Sequence, residues 1–206
     1  MANTQLTGEV AVRVSALCLT SAGRLADWSI CGPAVRGGLL LDLALAGRVE
    51  QTTESIVVDE TPTGFVPADR LLAAIAIEPE RSLDGWLDER RIGLRDVVEA
   101  NLACGRWVRH RLRFRPDTYE DRAVERSARD LSRRPGGPPD GWTPADACVT
   151  AVAAAAGLLD RDTGAPQVLD ETVLAAAGSS AWLCEAVAEH LFTTATRYRL
   201  RAGTAF

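Results

Sequence analysis

The chain has no lysine: all 23 of its basic residues are arginine. With its richness in Ala, Gly, Val and Asp, this reads as the codon bias of a GC-rich, bacterial genome, so no single arginine carries weight by its type alone. No apolar run reaches the roughly 20 residues of a membrane-spanning helix. The five cysteines (Cys18, Cys31, Cys104, Cys148, Cys184) include no CxxC pair, and neither His110 nor His190 stands near a cysteine pair in sequence. A metal centre is therefore not expected, and an odd count argues against a full disulfide framework. Buried thiols in a reducing compartment are the expectation. There is no GxSxG, no P-loop, no GxGxxG and no HExxH, so neither catalytic residues nor a cofactor are expected, and the chain reads as a non-enzyme. His190, with Cys184, Glu185 and Glu189 close by in sequence, lies in an apolar helical stretch, where a structural histidine is the expectation. Met1 to Gly8 lack the basic and apolar regions of a signal peptide, which points to the cytoplasm.

What is present is an adequate core and an uneven charge. Hydrophobic residues make up 47% of the 206 residues and charged residues 25%, enough for one packed domain spanning residues 1–206. The net charge is −5, yet Arg90 to Arg115 holds eight arginines against only Asp96 and Glu99, a formal +6 that leaves −11 on the rest. A basic patch on an acidic body attracts an anion to one face.

The periodicities predict a mainly α, compact helical domain. A central apolar helix is flanked by peripheral amphipathic helices and one or two short β-hairpins. Thr4 to Thr20 reads as a helix, with the alternation of Val10, Val12 and Val14 leaving a strand open. Pro33 to Gly47 reads as a buried helix, with Pro33 in its first turn and Gly47 just past its end. Val49 to Val58 reads as a hairpin with Glu54-Ser55 near its turn, and Thr61 to Gly64 as a loop. Pro67 to Ile77, Leu83 to Arg90 and Gly93 to Gly105 are helical. Val108 to Phe114 switches to period two, with Val108, His110, Leu112 and Phe114 on one face and Arg109, Arg111 and Arg113 on the other. Asp117 and Glu120 have capping-box spacing for a helix running to about Leu131. After the loop Ser132 to Asp140, Thr143 to Leu159, Leu169 to Ala177 and Ala181 to Leu200 are helical.

Three stretches carry a family resemblance. The first is Val35-Arg36-Gly37-Gly38, an apolar run through Asp42, and Ala46-Gly47-Arg48-Val49. The second is Asp59-Glu60-Thr61-Pro62-Thr63-Gly64 after the hairpin. The third is Asn101-Leu102-Ala103-Cys104-Gly105. In order and spacing they resemble the Golgi phosphoprotein 3 family over roughly Leu6 to Arg115. The resemblance implies a largely helical fold and recognition of phosphatidylinositol 4-phosphate at a membrane surface. It implies a headgroup pocket made of a Trp and an Arg near the start of the central helix and two Arg at the start of a later one. Trp28 and Arg36 fall on the first two, one residue closer together than in the family. Arg95 falls on one of the later pair. Ile92 stands at the other, and Arg91, four residues before Arg95, is the expected substitute if both share a helical face.

Such residues suit the chemistry. A phosphomonoester carries close to two charges and three acceptor oxygens. Arginine meets it with a planar fork of charge-assisted donors, and a tryptophan can cover the sugar ring or rest in the membrane interface. Arg109, Arg111 and Arg113 are expected to face the membrane electrostatically, with Phe114 as the one residue able to wedge into it, because Arg115-Pro116-Asp117 makes the hairpin tip polar where the family has an apolar one. The expected partner is an anionic phospholipid headgroup, at the inner face of the membrane. The family's capture of cytosolic tails of membrane proteins adds a second kind of partner, for which the acidic body supplies a face, and a homo-oligomer is left open. The alternative is a nucleic-acid-binding or purely protein-interaction domain using the Arg90 to Arg115 patch. The net acidity and the lack of a recognition-helix motif speak against nucleic acid.

Overall fold

The computed structural model describes residues 8–51, 56–113, 115–136, 141–160 and 163–203. Its helices are α1 (Glu9–Leu17), α2 (Trp28–Leu45), α3 (Val66–Ile77), α4 (Leu83–Leu87), α5 (Leu94–Ala103), α6 (Val124–Ser132), α7 (Pro144–Ala155), α8 (Glu171–Ala176) and α9 (Ala181–Gly203). Two antiparallel hairpins complete it: β1 (Val49–Gln51) with β2 (Ile56–Val58), and β3 (Trp107–Leu112) with β4 (Arg115–Asp121). The mainly α expectation with short hairpins is what the chain adopts.

Helix α2 is the centre. Every residue from Cys31 to Ala44 is buried, and α1, α3, α7 and α9 pack around it. An apolar helix with no polar stripe can only sit where neighbours cover it on all sides. The same logic settles the first segment. Val10, Val12 and Val14 alternate, but α1 buries nearly its whole circumference between α2, α5, α6 and α7, so period two carries no information there.

The Arg-Gly-Gly opening of the α2 motif has a packing cause. A Cβ on Gly37 would lie 2.5 Å from Cγ1 of Val187 in α9, and one on Gly38 would lie 2.8 Å from the Cα of Ala11 in α1. The two glycines let α2 be approached closely from two sides. Gly38→Ala is expected to cost about 2–4 kcal/mol, because the obstacle is backbone and cannot rotate away. Urea unfolding followed by circular dichroism checks it; a loss below 1 kcal/mol would mean that α1 shifts freely.

The second and third motifs are also explained locally. Asp59 Oδ1 accepts from the Thr61 amide at 2.9 Å and its hydroxyl at 2.6 Å, bending the chain. Thr63 donates to Asp69 Oδ1 through its amide at 2.6 Å and its hydroxyl at 2.7 Å, which fixes the start of α3. Buried Asn101 of α5 donates through Nδ2 to Ser15 Oγ of α1 at 3.1 Å, locking those two helices together.

Several features differ from the sequence reading. Helix α2 begins at Trp28, so Pro33 lies inside it rather than in its first turn. Asp27 sets that start by accepting from the Ser29 amide at 2.7 Å, and the proline removes only the bond to the Ser29 carbonyl, near the helix end. Arg115–Asp121 is a strand rather than the start of a helix; Asp117 and Glu120 lie in β4, and the helix begins at Val124. The expected faces of β3 also do not hold at its start: Trp107 is buried and packs against Tyr119 at 5.7 Å, Val108 and Arg109 are both half-buried, and His110 is exposed beside Glu120. One large aromatic at the strand's first residue outweighs the smaller apolar residues that set the expected face.

Candidate functional site

The N-terminal ends of α2 and α5 meet at a cavity of about 1020 Å³. Trp28 and Arg36 enter it from α2, Arg91 from the turn before α5, and Arg95 from the first turn of α5. Arg70 of α3, Arg90 and Asp88 of the same turn, Asp96 of α5 and Thr194 of α9 also line it. The four residues singled out in the sequence thus share one cavity. Arg91 and Arg95 do not share a helical face, however, because α5 starts only at Leu94. The bend at residues 88–93 is what carries Arg91 to the rim, while Ile92 turns into the core.

Arg36 is the deepest of the cations, only 6% exposed. Its Nε donates to the Leu87 carbonyl at 2.6 Å. Its stem runs between two glycines: a Cβ on Gly32 would lie 3.4 Å from Nη1, and one on Gly93 would lie 2.8 Å from Cγ. Gly93 has φ +148, which L side chains rarely adopt, so this is a position built for the arginine beside it. Burial pulls the guanidinium down from the ordinary arginine range to about 10; nearby Asp88 and Glu89 oppose the shift and Arg90 adds to it. The sequence leaves Asp27 and Asp42 as conceivable partners for Arg36. Both are otherwise occupied: Asp27 takes the Ser29 amide and the Tyr198 hydroxyl, and Asp42 takes the amides of Val10 and Ala11.

The electrostatic character follows from what is left unneutralised. Arg70 pairs with Asp96. Among the described residues, Arg36, Arg90, Arg91 and Arg95 make no ion pair. Other arginines are matched: Arg13 is held by Asp130 and Asp146, each at 2.6 Å, and Arg133 by Asp146 at 2.8 Å. The first-turn amides of α5 add the positive end of a helix dipole to the cavity. The arrangement presents several converging, unspent N–H donors around a space that admits a small polyanion.

The hairpin arginines are disposed differently. Arg109 pairs with Glu99 and lies over the Tyr119 ring at 5.7 Å; its hydrogen bond to Glu99 holds its pKa above the usual range. Arg111 and Arg113 are exposed, and Phe114 lies outside the described residues. His190 turns to α4, with Nδ1 2.7 Å from Asp84 Oδ1 and Nε2 3.5 Å from Asp88. Cys104 is exposed and the other four cysteines are buried. No helix among the described residues is long and apolar enough to cross a membrane.

Sequence reasoning missed Arg70, Arg90 and Gly93 at this cavity. Arg70 comes from a helix whose placement depends on the Thr63 cap, so no local signal marks it. Gly93 is marked only in retrospect, as a glycine next to the arginine pair.

A search among curated proteins finds no match. The protein family described as Golgi phosphoprotein 3 (GPP34) matches residues 16–194. That stretch contains α2, the glycine-flanked Arg36, the Asp59 to Gly64 loop and the whole cavity, and the chain belongs to the Golgi phosphoprotein 3 family.

Proposed function

We propose that the chain is a peripheral membrane protein that recognises the phosphorylated headgroup of an anionic lipid, of the phosphatidylinositol 4-phosphate type, in the cavity between α2 and α5. The observation that supports this most is the concentration there of Arg36, Arg90, Arg91 and Arg95, which make no ion pair among the described residues, around a space of about 1020 Å³. A singly charged diester offers less to such a set than a monoester does. Trp28, 55% exposed at the mouth, is placed to cover a sugar ring or to rest at headgroup depth.

The reading is one of binding and not of catalysis. Guanidiniums stay charged across neutral pH, so they stabilise an anion and exchange no proton with it. The nucleic-acid alternative, which uses the Arg90 to Arg115 patch, is less well supported, because the patch is divided: Arg90, Arg91 and Arg95 line the cavity, while Arg106 meets Asp121 at 3.4 Å and Arg109 meets Glu99.

Vesicle co-sedimentation tests the reading. At low salt the protein is expected to pellet with phosphatidylcholine vesicles that contain phosphatidylinositol 4-phosphate and to stay in solution with phosphatidylcholine alone. Equal behaviour in the two would sink it. Arg36→Ala with Arg95→Ala should abolish the difference, and duplex DNA should not compete. If the double variant still pellets, the lipid is read elsewhere.

A further inference from the structure

Arg70 of α3 lines the same cavity as Arg36, Arg90, Arg91 and Arg95, and it differs from those four in being paired. The pair uses little of what Arg70 carries. A guanidinium has five N–H donors. Arg70 places Nη1 on Asp96 Oδ1, and among the described residues its Nε and Nη2 donate to nothing else. Its side chain is 54% exposed, so protein does not cover those donors. Arg13 shows the contrast: it is 1% exposed, and its guanidinium is divided among Glu9, Asp130 and Asp146.

Asp96 is anchored independently of Arg70. Its Oδ2 accepts the Gly93 amide at 3.0 Å, and it lies in the first turn of α5, where the helix dipole favours an acid. A carboxylate fixed by the helix it caps holds the guanidinium at the cavity wall. The stem of Arg70 is placed from its own side. Thr63, which is buried, donates through its amide and its hydroxyl to Asp69, the residue before Arg70. The loop from Asp59 to Gly64 thus sets where Arg70 stands.

We propose that Arg70 is a further ligand of a phosphomonoester in this cavity, one that keeps Nη1 on Asp96 and gives its remaining N–H donors to the phosphate, with Asp96 as its positioning residue. This rests on the headgroup reading above. Donors then come from three helices, Arg36 from α2, Arg70 from α3 and Arg95 from α5, to a group with three terminal oxygens. A guanidinium shared between a carboxylate and a phosphate makes charge-assisted bonds to both. Because Asp96 already orients it, binding orders less of the side chain.

The competing role for Arg70 is to neutralise Asp96 and nothing more. The two roles separate once Asp96 carries no charge. Asp96→Asn removes the charge and keeps an oxygen for the Gly93 amide. Titration calorimetry on the full chain with soluble inositol 1,4-bisphosphate then compares Asp96→Asn with the same chain carrying Arg70→Ala as well. The double variant should bind about tenfold more weakly than the single one, because donors to the ligand itself are gone. A difference under about twofold overturns the proposal, since it leaves only the long-range effect of one charge. Arg70→Gln, which keeps most of the stem, replaces the alanine variant if thermal melting shows that the latter is not folded. A parent that binds neither the bisphosphate nor vesicles containing phosphatidylinositol 4-phosphate removes the headgroup reading and this proposal together. A parent that binds both, with single and double variants alike, removes this proposal alone. Inorganic phosphate tests the source of the monoester. Affinity equal to that of the bisphosphate would make free phosphate the ligand, and the same pair of variants titrated with it would decide the role of Arg70.

Discussion

Arg36→Ala is expected to lower the affinity for a soluble phosphorylated inositol about 100-fold while moving the melting temperature little. The guanidinium is already held in place. Its Nε is fixed on the Leu87 carbonyl at 2.6 Å, and its stem is confined beside Gly32 and Gly93. Binding therefore orders few side-chain rotamers, and the ligand meets donors that need no rearrangement. Losing one partner of a buried, hydrogen-bonded charge pair costs about 2–5 kcal/mol, and 100-fold corresponds to about 2.7 kcal/mol. Stability behaves differently, because the unliganded fold carries the charge at a disadvantage. Burial holds the Arg36 guanidinium down at about 10, below the ordinary arginine range. The unfolded chain thus binds the proton more strongly, so this group's burden is full below about pH 10 and is relieved as pH rises above it. Alanine removes that burden together with one hydrogen bond and some packing, and the two nearly offset. Titration calorimetry and thermal melting read the two effects separately. Arg36→Lys, which keeps the charge and loses the fork, should fall between parent and alanine. Affinity should also drop above about pH 10 as the guanidinium loses its charge. Full affinity in Arg36→Ala would remove the cavity from consideration.

How much of this was legible follows from the range of each interaction. Helix α2 announces itself because burial on all sides needs an unbroken apolar run, and the run is local. Its start is less legible, because Pro33 is a conspicuous local marker while the start itself depends on the Asp27 cap. Strand β4 was invisible: the spacing of Asp117 and Glu120 fits a capping box, and only the pairing of Trp107 with Asp121 and Arg109 with Tyr119 across the hairpin overrides it. The site divides in the same way. Trp28, Arg36 and Arg95 were reached through motifs, each of which turns out to fix a helix. Arg70 was not reached, since its place depends on the Thr63 bonds to Asp69 and on where α3 then lies. A basic run such as Arg90 to Arg115 is plain in the sequence, but the sequence does not say which of its charges are matched. The sparser set has more chemistry available, because its charges are unspent.

Replacing Asp42 should have the largest effect on the fold itself. Asp42 is fully buried in α2, and its two carboxylate oxygens accept the Val10 and Ala11 amides at 2.9 and 3.0 Å. Helix α1 is preceded by Gly8, which has no side chain to cap it. The first amides of α1 are therefore satisfied by a residue of the neighbouring helix, and this is what an acid inside the apolar motif is for. Asp42→Leu leaves two buried amides without acceptors, at about 1–3 kcal/mol each, and adds steric strain. A total of about 3–6 kcal/mol is expected, a large part of a typical domain's stability. Asp42→Asn is the sharper test. Burial raises the Asp42 carboxyl from 3.8 to about 7, and the two amide bonds and Arg13 hold it back. In this pH interval the native state binds the proton that the unfolded chain has released. The group's contribution is thus greatest below 3.8 and is lost as pH rises toward about 7, by something on the order of 4 kcal/mol. Other acids run the opposite way: Asp27, Asp146 and Asp170 are held below the usual carboxylate range, so their contributions grow with pH. The parent's own pH profile mixes the two. The difference between parent and Asp42→Asn isolates Asp42, since asparagine does not titrate. Urea midpoints at pH 5 and pH 8 should show the parent's advantage over Asp42→Asn larger at pH 5. An advantage independent of pH would show that Asp42 stays ionised throughout, held by the two amides and Arg13 against its burial.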